Sequence, residues 1–260
     1  MFCSFVLSSV LLCGITALPD GIPQLSHLRL YTSFDNEVAP LQDESGYFND
    51  LVIDVGSPTT LPHAGLGTGR YLRIEADERV VVRTTVGTGQ SANGTTVCTR
   101  FRVWSGYTSP SEGSGFVLRM LQPGRSNVGS IFHSDRGTST MRATIVADTG
   151  GCSYTEWDLA LASGASDPFT HVCVSWFYTG SPAYAAYIAN VDGSPLTVST
   201  PCVALYTDTV FDSSTVIYLG VDGVMRQSRG SRIDIDTLAV WNTALTQEQV
   251  QTYIVPLGGA

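Results

Sequence analysis

The sequence predicts an all-β chain, an antiparallel two-sheet sandwich closed by one short C-terminal helix. Three observations carry that prediction. Short runs rich in Val, Ile, Thr, Tyr and Phe recur from residue 28 to residue 241, each bounded by Gly, Pro, Asn, Asp or Ser. Charged residues are 14% of the chain, against roughly 25% in an average soluble domain, and 26 glycines help to fill the gap, as strands and turns require. A single stretch near the C-terminus carries a persuasive helix-start signature. With 43% hydrophobic and 10% aromatic residues, the 260-residue, 27.8 kDa chain can bury a large core, which excludes disorder.

The chain opens on a segment of another kind. Residues 2–18, FCSFVLSSVLLCGITAL, are uncharged and apolar and end in the small Thr16 and Ala17 ahead of Pro19-Asp20-Gly21. This is the pattern of a cleavable secretory signal over residues 1–17, leaving 18–260 as one mature domain, extracellular and soluble. A buried N-terminal helix is the competing reading, and the breaker cluster behind the run weighs against it. No later run approaches the roughly 18 apolar residues of a membrane span.

The strands follow in order. LRLYTSF (28–34), LVIDV (51–55), YLRIE (71–75) and RVVVR (79–83) come first, the last a β-branched run framed by arginines. TVCTRFRVW (96–104), GFVLRML (115–121), SIFHS (130–134) and TMRATIVA (140–147) occupy the middle. FTHVCVSWF (169–177), YAAYIA (184–189), TVIYLG (215–220) and DIDTLAVW (234–241) complete the set. Pro123-Gly124, Asp192-Gly193 and Asp222-Gly223 read as turns. The helix is TQEQVQTYI (246–254), where Thr246 is the N-cap and Gln249, three residues on, completes a capping box. No internal repeat or long linker divides the chain, and about 240 residues suits a single all-β sandwich.

Charge excludes some partners. There are 23 acidic residues against 14 basic ones, a formal charge of −9, and every basic residue is arginine. The arginines are scattered singly from Arg29 to Arg232, whereas a phosphate-tracking groove needs clustered cations. Nucleic acid and anionic membranes are therefore excluded as expected partners. Asn93-Gly94-Thr95 is a glycosylation acceptor in a polar stretch, so Asn93 is expected to carry a glycan.

Of six cysteines, signal removal takes Cys3 and Cys13 and leaves Cys98, Cys152, Cys173 and Cys202, an even number suited to two disulfides outside the cell. Three connectivities are open. Strand alternation puts Val97, Phe101 and Val103 on one face and Cys98, Arg100 and Arg102 on the other, while Val172, Val174 and Trp176 oppose His171, Cys173 and Ser175. If these two strands are neighbours, Cys98 and Cys173 can meet across the ladder, and Cys152 with Cys202 is what remains.

His171-Val172-Cys173-Val174-Ser175-Trp176 resembles the pentraxin signature H-x-C-x-S/T-W, and Thr96-Val97-Cys98 resembles the segment bearing its partner cysteine. LYTSFDNEVAPLQDESGYFND followed by GTGRYLRI resembles the start of laminin-G-like domains, and IDIDTLAVWNTALTQEQV their closing strand and helix. The mature chain thus resembles, over nearly its whole length, a concanavalin A-like, laminin-G/pentraxin-like jelly roll. Tyr178 departs from the signature, which expects Ser or Thr there.

The resemblance implies a secreted, non-enzymatic, lectin-like or adhesion module that binds a glycan or an extracellular matrix partner, with or without calcium. Where pentraxins hold calcium, VDGVMRQSRG offers only Asp222 and HSDRGTSTMR only Asp135. Calcium takes six to eight oxygen ligands, so the double-calcium site is expected to be missing. The alternative reading is a structural component of an extracellular or mineralised matrix. A glycoside hydrolase comes third, because the laminarinase-type E-x-D-x-x-E is met only by Asp234-Ile235-Asp236-Thr237-Leu238-Ala239, which lacks both glutamates. Asp234 and Asp236 share a face by alternation, and the resemblance gives Asp236 a structural role. No G-x-S-x-G elbow is present, and no histidine pair has metal-site spacing. Tyr154 and Trp157, expected in a loop tethered by Cys152, are the candidate ligand rim.

Overall fold

The computed structural model describes residues 18, 20–63, 69–83, 94–105, 114–122, 125–134, 140–146, 152–179, 184–192, 194–196, 216–220 and 232–258. Residues 1–17, Asn93, Asp135, Cys202 and Asp222 lie outside them.

Among the described residues, fifteen strands, one short 3-10 helix (Leu25–His27) and one α-helix are formed. The first five are β1 (Leu28–Thr32), β2 (Leu51–Val55), β3 (Thr59–Pro62), β4 (Arg70–Ile74) and β5 (Arg79–Arg83). Next come β6 (Thr95–Val103), β7 (Ser114–Gln122), β8 (Arg125–Ser134), β9 (Thr140–Val146) and β10 (Cys152–Asp158). The chain closes with β11 (Thr170–Thr179), β12 (Tyr184–Val191), β13 (Ser194–Leu196), β14 (Val216–Gly220), β15 (Ile233–Trp241) and α1 (Gln247–Gly258). They build two antiparallel sheets. Sheet A runs β13-β12-β11-β6-β15-β4-β3 with β1 also on β15; sheet B runs β10-β9-β8-β7-β14-β5-β2.

The core lies between the sheets. Sheet A supplies Leu72, Val97, Phe101, Val172, Ile233 and Leu238; sheet B supplies Val80, Val82, Leu118, Met120, Ile217 and Leu219, all buried. Each such side chain contributes roughly 1.5–3 kcal/mol when fully withdrawn from water.

β15 organises sheet A. It pairs with β6 along its length, with β4 over Ile233–Ile235, and with β1 over Leu238–Trp241. The register on β6 slips between Ile235 and Thr237. The slip is a bulge at Asp236, and it switches the inward parity: Ile233 and Ile235 face the core before it, Leu238 and Val240 after it. Ala239 and Trp241 therefore point outward, where a second apolar cluster forms with Ile22, Leu28, Tyr31, Cys98, Cys173, Leu245, Val250 and Tyr253.

That outer cluster is the seat of α1. The capping box forms as the sequence predicts: the Thr246 N–H donates to Gln249 Oε1 at 2.9 Å and the Gln249 N–H to Thr246 Oγ1 at 3.3 Å. The helix continues past Ile254 to Gly258. Its approach is fixed from β6, because the Leu245 N–H donates to Thr96 Oγ1 at 2.8 Å and that hydroxyl donates to the Thr243 carbonyl at 2.9 Å.

Candidate functional site

The outer face of sheet A divides into two halves. One is the apolar half under α1. It contains the Cys98–Cys173 disulfide, whose residues are opposite one another in the β6–β11 register with Cα atoms 4.0 Å apart. The two strands are neighbours, and the face opposite the valines is itself covered by the helix. Cys98, His171 and Cys173 bring three metal-capable groups within 4.8 Å, but both sulfurs are spent in the disulfide and no thiolate remains to ligate.

The other half is polar and built on two carboxylates. Asp234 is wholly buried. Its Oδ1 accepts from Arg73 Nε at 2.7 Å; its Oδ2 accepts from Arg73 Nη2 at 2.9 Å, Arg102 Nε at 2.8 Å and Trp104 Nε1 at 2.9 Å. Hydrogen bonding to Asp234 raises the Arg73 pKa above its ordinary value. Arg102 also donates through Nη1 to the carbonyls of Ala165 and Asp167 at 2.8 and 2.9 Å. Asp236 is held by His63 Nε2 at 2.6 Å and Arg100 Nη1 at 3.0 Å.

Aromatic rings fill the spaces between these charges. The Phe169 ring lies 4.5 Å from the Arg102 guanidinium, and the Trp104 ring lies 4.8 Å from that of Arg73. His63, Tyr71 and Phe169 touch one another at ring separations of 5.1 to 5.6 Å. Such stacking favours the cations and desolvates them. The arrangement is a cross-linking network. Asp234 and Asp236 do share a face, as alternation requires, and each is ion-paired with arginine.

A second feature is the loop between β1 and β2. There the chain folds around buried Asp43, whose Oδ1 accepts from the Tyr31 and Ser45 N–H groups at 3.0 and 2.9 Å. Its Oδ2 accepts from the Ser45 hydroxyl and the Asn49 N–H, both at 2.9 Å. Asn49 Nδ2 donates to the Arg29 carbonyl at 2.6 Å, and Arg29 stacks on Tyr47 at 4.4 Å. This frame adjoins Phe48 at φ +59°, a left-handed conformation costly for a bulky side chain, with the residue 79% exposed. Val52, Ile53 and Val55 on the adjoining edge strand β2 are exposed as well.

Sequence reasoning missed this loop, although Asp43-Glu44-Ser45-Gly46 ahead of two aromatics is its visible signal. The expected rim is differently placed. Tyr154 and Trp157 lie in β10, an edge strand of sheet B, and not in a loop. Cys-Ser-Tyr-Thr-Glu-Trp is a strand-forming run, and the two aromatics occupy positions of opposite parity, in register with Thr144 and Met141. Cys152 opens the same strand, and the weak calcium candidates Asp135 and Asp222 lie outside the described residues.

No family model matches the chain, and no curated protein matches it. Solved structures do. The chain is similar to the binding domain of a botulinum neurotoxin of serotype D/C, with TM-score 0.63 and 9% identity over 90% of this chain and 53% of that one. It is similar to the binding domain of Paraclostridial Mosquitocidal Protein 1, with TM-score 0.63 and 12% identity over 90% and 53%. A third is a botulinum neurotoxin serotype D ligand-binding domain in complex with N-acetylneuraminic acid, with TM-score 0.62 and 10% identity over 89% and 51%. The chain spans about half the length of these domains. At such identities the likeness is one of fold, a two-sheet β-sandwich. Among the described residues, no helix is long and apolar enough to cross a membrane.

Proposed function

We propose that the chain is a secreted, non-enzymatic recognition module of laminin-G-like or pentraxin-like type, one domain over residues 18–260 behind a signal at 1–17, that binds a glycan or a glycan-bearing matrix partner. The observation that carries this reading is the exposure of Phe48 on a strained backbone. The residue sits at positive φ beside the Asp43 hydrogen-bond frame with most of its surface in solvent, and a flat aromatic face suits the C–H face of a sugar. Two further facts support it: the sandwich is one that named binding domains also adopt, including a domain solved with N-acetylneuraminic acid, and the carboxylates nearest to a hydrolase motif are both paired with arginine. Recognition is proposed not to need calcium, since Asp135 and Asp222 alone fall far short of a calcium shell.

The test is a glycan array that includes sialylated and neutral glycans, probed with the intact mature protein and with Phe48→Asn. Expected is binding that survives chelation and falls about tenfold in the variant, the scale of one lost stacking contact. Binding unchanged in Phe48→Asn removes the loop from the site; absence of binding to any glycan removes the lectin reading.

A further inference from the structure

We infer that α1 is an acid-released clasp latched by His171: protonating this imidazole undocks the C-terminal helix from sheet A and uncovers the apolar surface beneath it. His171 stands where the two halves of the outer face meet. It is 3% exposed, and its ring meets that of Tyr253 on α1 edge-on at 5.4 Å. Nδ1 has no hydrogen-bond partner, and Nε2 faces the disulfide sulfur of Cys173 at 4.0 Å. Neither nitrogen has an oxygen to accept from an imidazolium.

The charged groups around it give no relief. Arg100 of β6 is directly opposite in the strand register and has the same sign as the imidazolium. Asp236 of β15 is spent on Arg100 and His63. Asp192, in the turn after β12, is exposed and accepts the backbone N–H of His171 at 2.8 Å. Tyr253 offers a ring whose phenol is itself kept neutral by burial. Burial, and after it Arg100, hold the imidazole down at about 3, against an ordinary 6.5 that returns once the ring meets water.

The direction follows from linkage. The docked state binds fewer protons than the undocked one, so docking is at full strength above about pH 6.5 and weakens by about tenfold per unit as the pH falls toward 3. The helix is the element that gives way. It pairs with no strand, so its departure breaks no ladder, and among its described side chains Val250 and Tyr253 are the ones seated in the outer cluster. Leaving, it bares Leu28, Tyr31, Trp241 and the disulfide beside the arginine and aromatic half, a surface available only in acid.

Hydrogen exchange of the intact protein, corrected for the intrinsic pH dependence of exchange, tests this at pH 7.5, 6.5 and 5.5. Expected are α1 amides that open more often than those of β15 at every pH, with an opening constant that rises about fivefold between 6.5 and 5.5. In His171→Phe that constant is expected to be flat. Equal opening of α1 and β15, a flat profile in the unmodified protein, or an unchanged slope in His171→Phe overturns the proposal. Should the variant not fold, the contrast between α1 and β15 in the unmodified protein decides alone.

Discussion

Arg73 grips both carboxylate oxygens of Asp234 at once, through Nε at 2.7 Å and Nη2 at 2.9 Å. Arg102 approaches the same group from the other flank with its side chain only 2% exposed. Replacing Asp234 by alanine therefore strands a buried cation, and breaking a buried pair in that way costs about 3–5 kcal/mol. Urea denaturation should show the midpoint falling accordingly. Arg73→Ala should cost less, because Arg102 and Trp104 still satisfy the carboxylate; an equal loss in both would mean that Asp234 matters through Arg73 alone.

The strands were legible because each buries a face, and burial writes itself into the sequence as alternation. LVIDV and RVVVR keep their predicted bounds as Leu51–Val55 and Arg79–Arg83. β3 escaped notice because Thr59–Pro62 is a half-exposed edge strand ending in proline, and β10 because a glycine pair leads into a run broken by Glu156 and Asp158. The bulge at Asp236 has a trace in the sequence, since Ile233 and Ile235 followed by Leu238 and Val240 is a change of phase. What alternation cannot express is the partner of an outward residue. Arg73 and Arg102 lie 161 and 132 positions from Asp234, so nothing local links them to it. Ala239 and Trp241 likewise declare an apolar outer face without naming α1 as its cover.

The disulfide closes a span of 75 residues with both cysteines fully buried. In the chain-entropy account a loop of that size is worth roughly 4 kcal/mol. Cys98→Ser with Cys173→Ser should lower the unfolding free energy by about that amount in guanidinium. In the unmodified protein the bond should resist glutathione under native conditions, since a thiolate cannot reach it; rapid native reduction followed by mass spectrometry would contradict the burial.

Thr246→Ala removes the acceptor for the Gln249 N–H, and a lost N-cap costs about 1 kcal/mol. Because the described side chains of α1 sit on the outer cluster and not in the core between the sheets, the cost should fall on the helix before the sandwich. Circular dichroism near 222 nm should show loss of helix at temperatures where the near-ultraviolet signal of the core aromatics is intact; simultaneous loss would make α1 part of one cooperative unit with the sheets.

Phe34 and Phe48 share a left-handed backbone, at φ +60° and +59°, and differ in what offsets it. Phe34 is wholly buried in the main core, where the area withdrawn from water outweighs the strain; Phe48, 79% exposed, has no such return. Asparagine tolerates this conformation better than phenylalanine does. Phe48→Asn should therefore stabilise the protein, by up to about 1 kcal/mol, while weakening recognition. Opposite movements of the denaturation midpoint and of glycan affinity are the signature of a residue kept for contact at the expense of stability. A destabilised variant would show that the ring packs against its loop, and would remove the strain argument on which the binding surface rests.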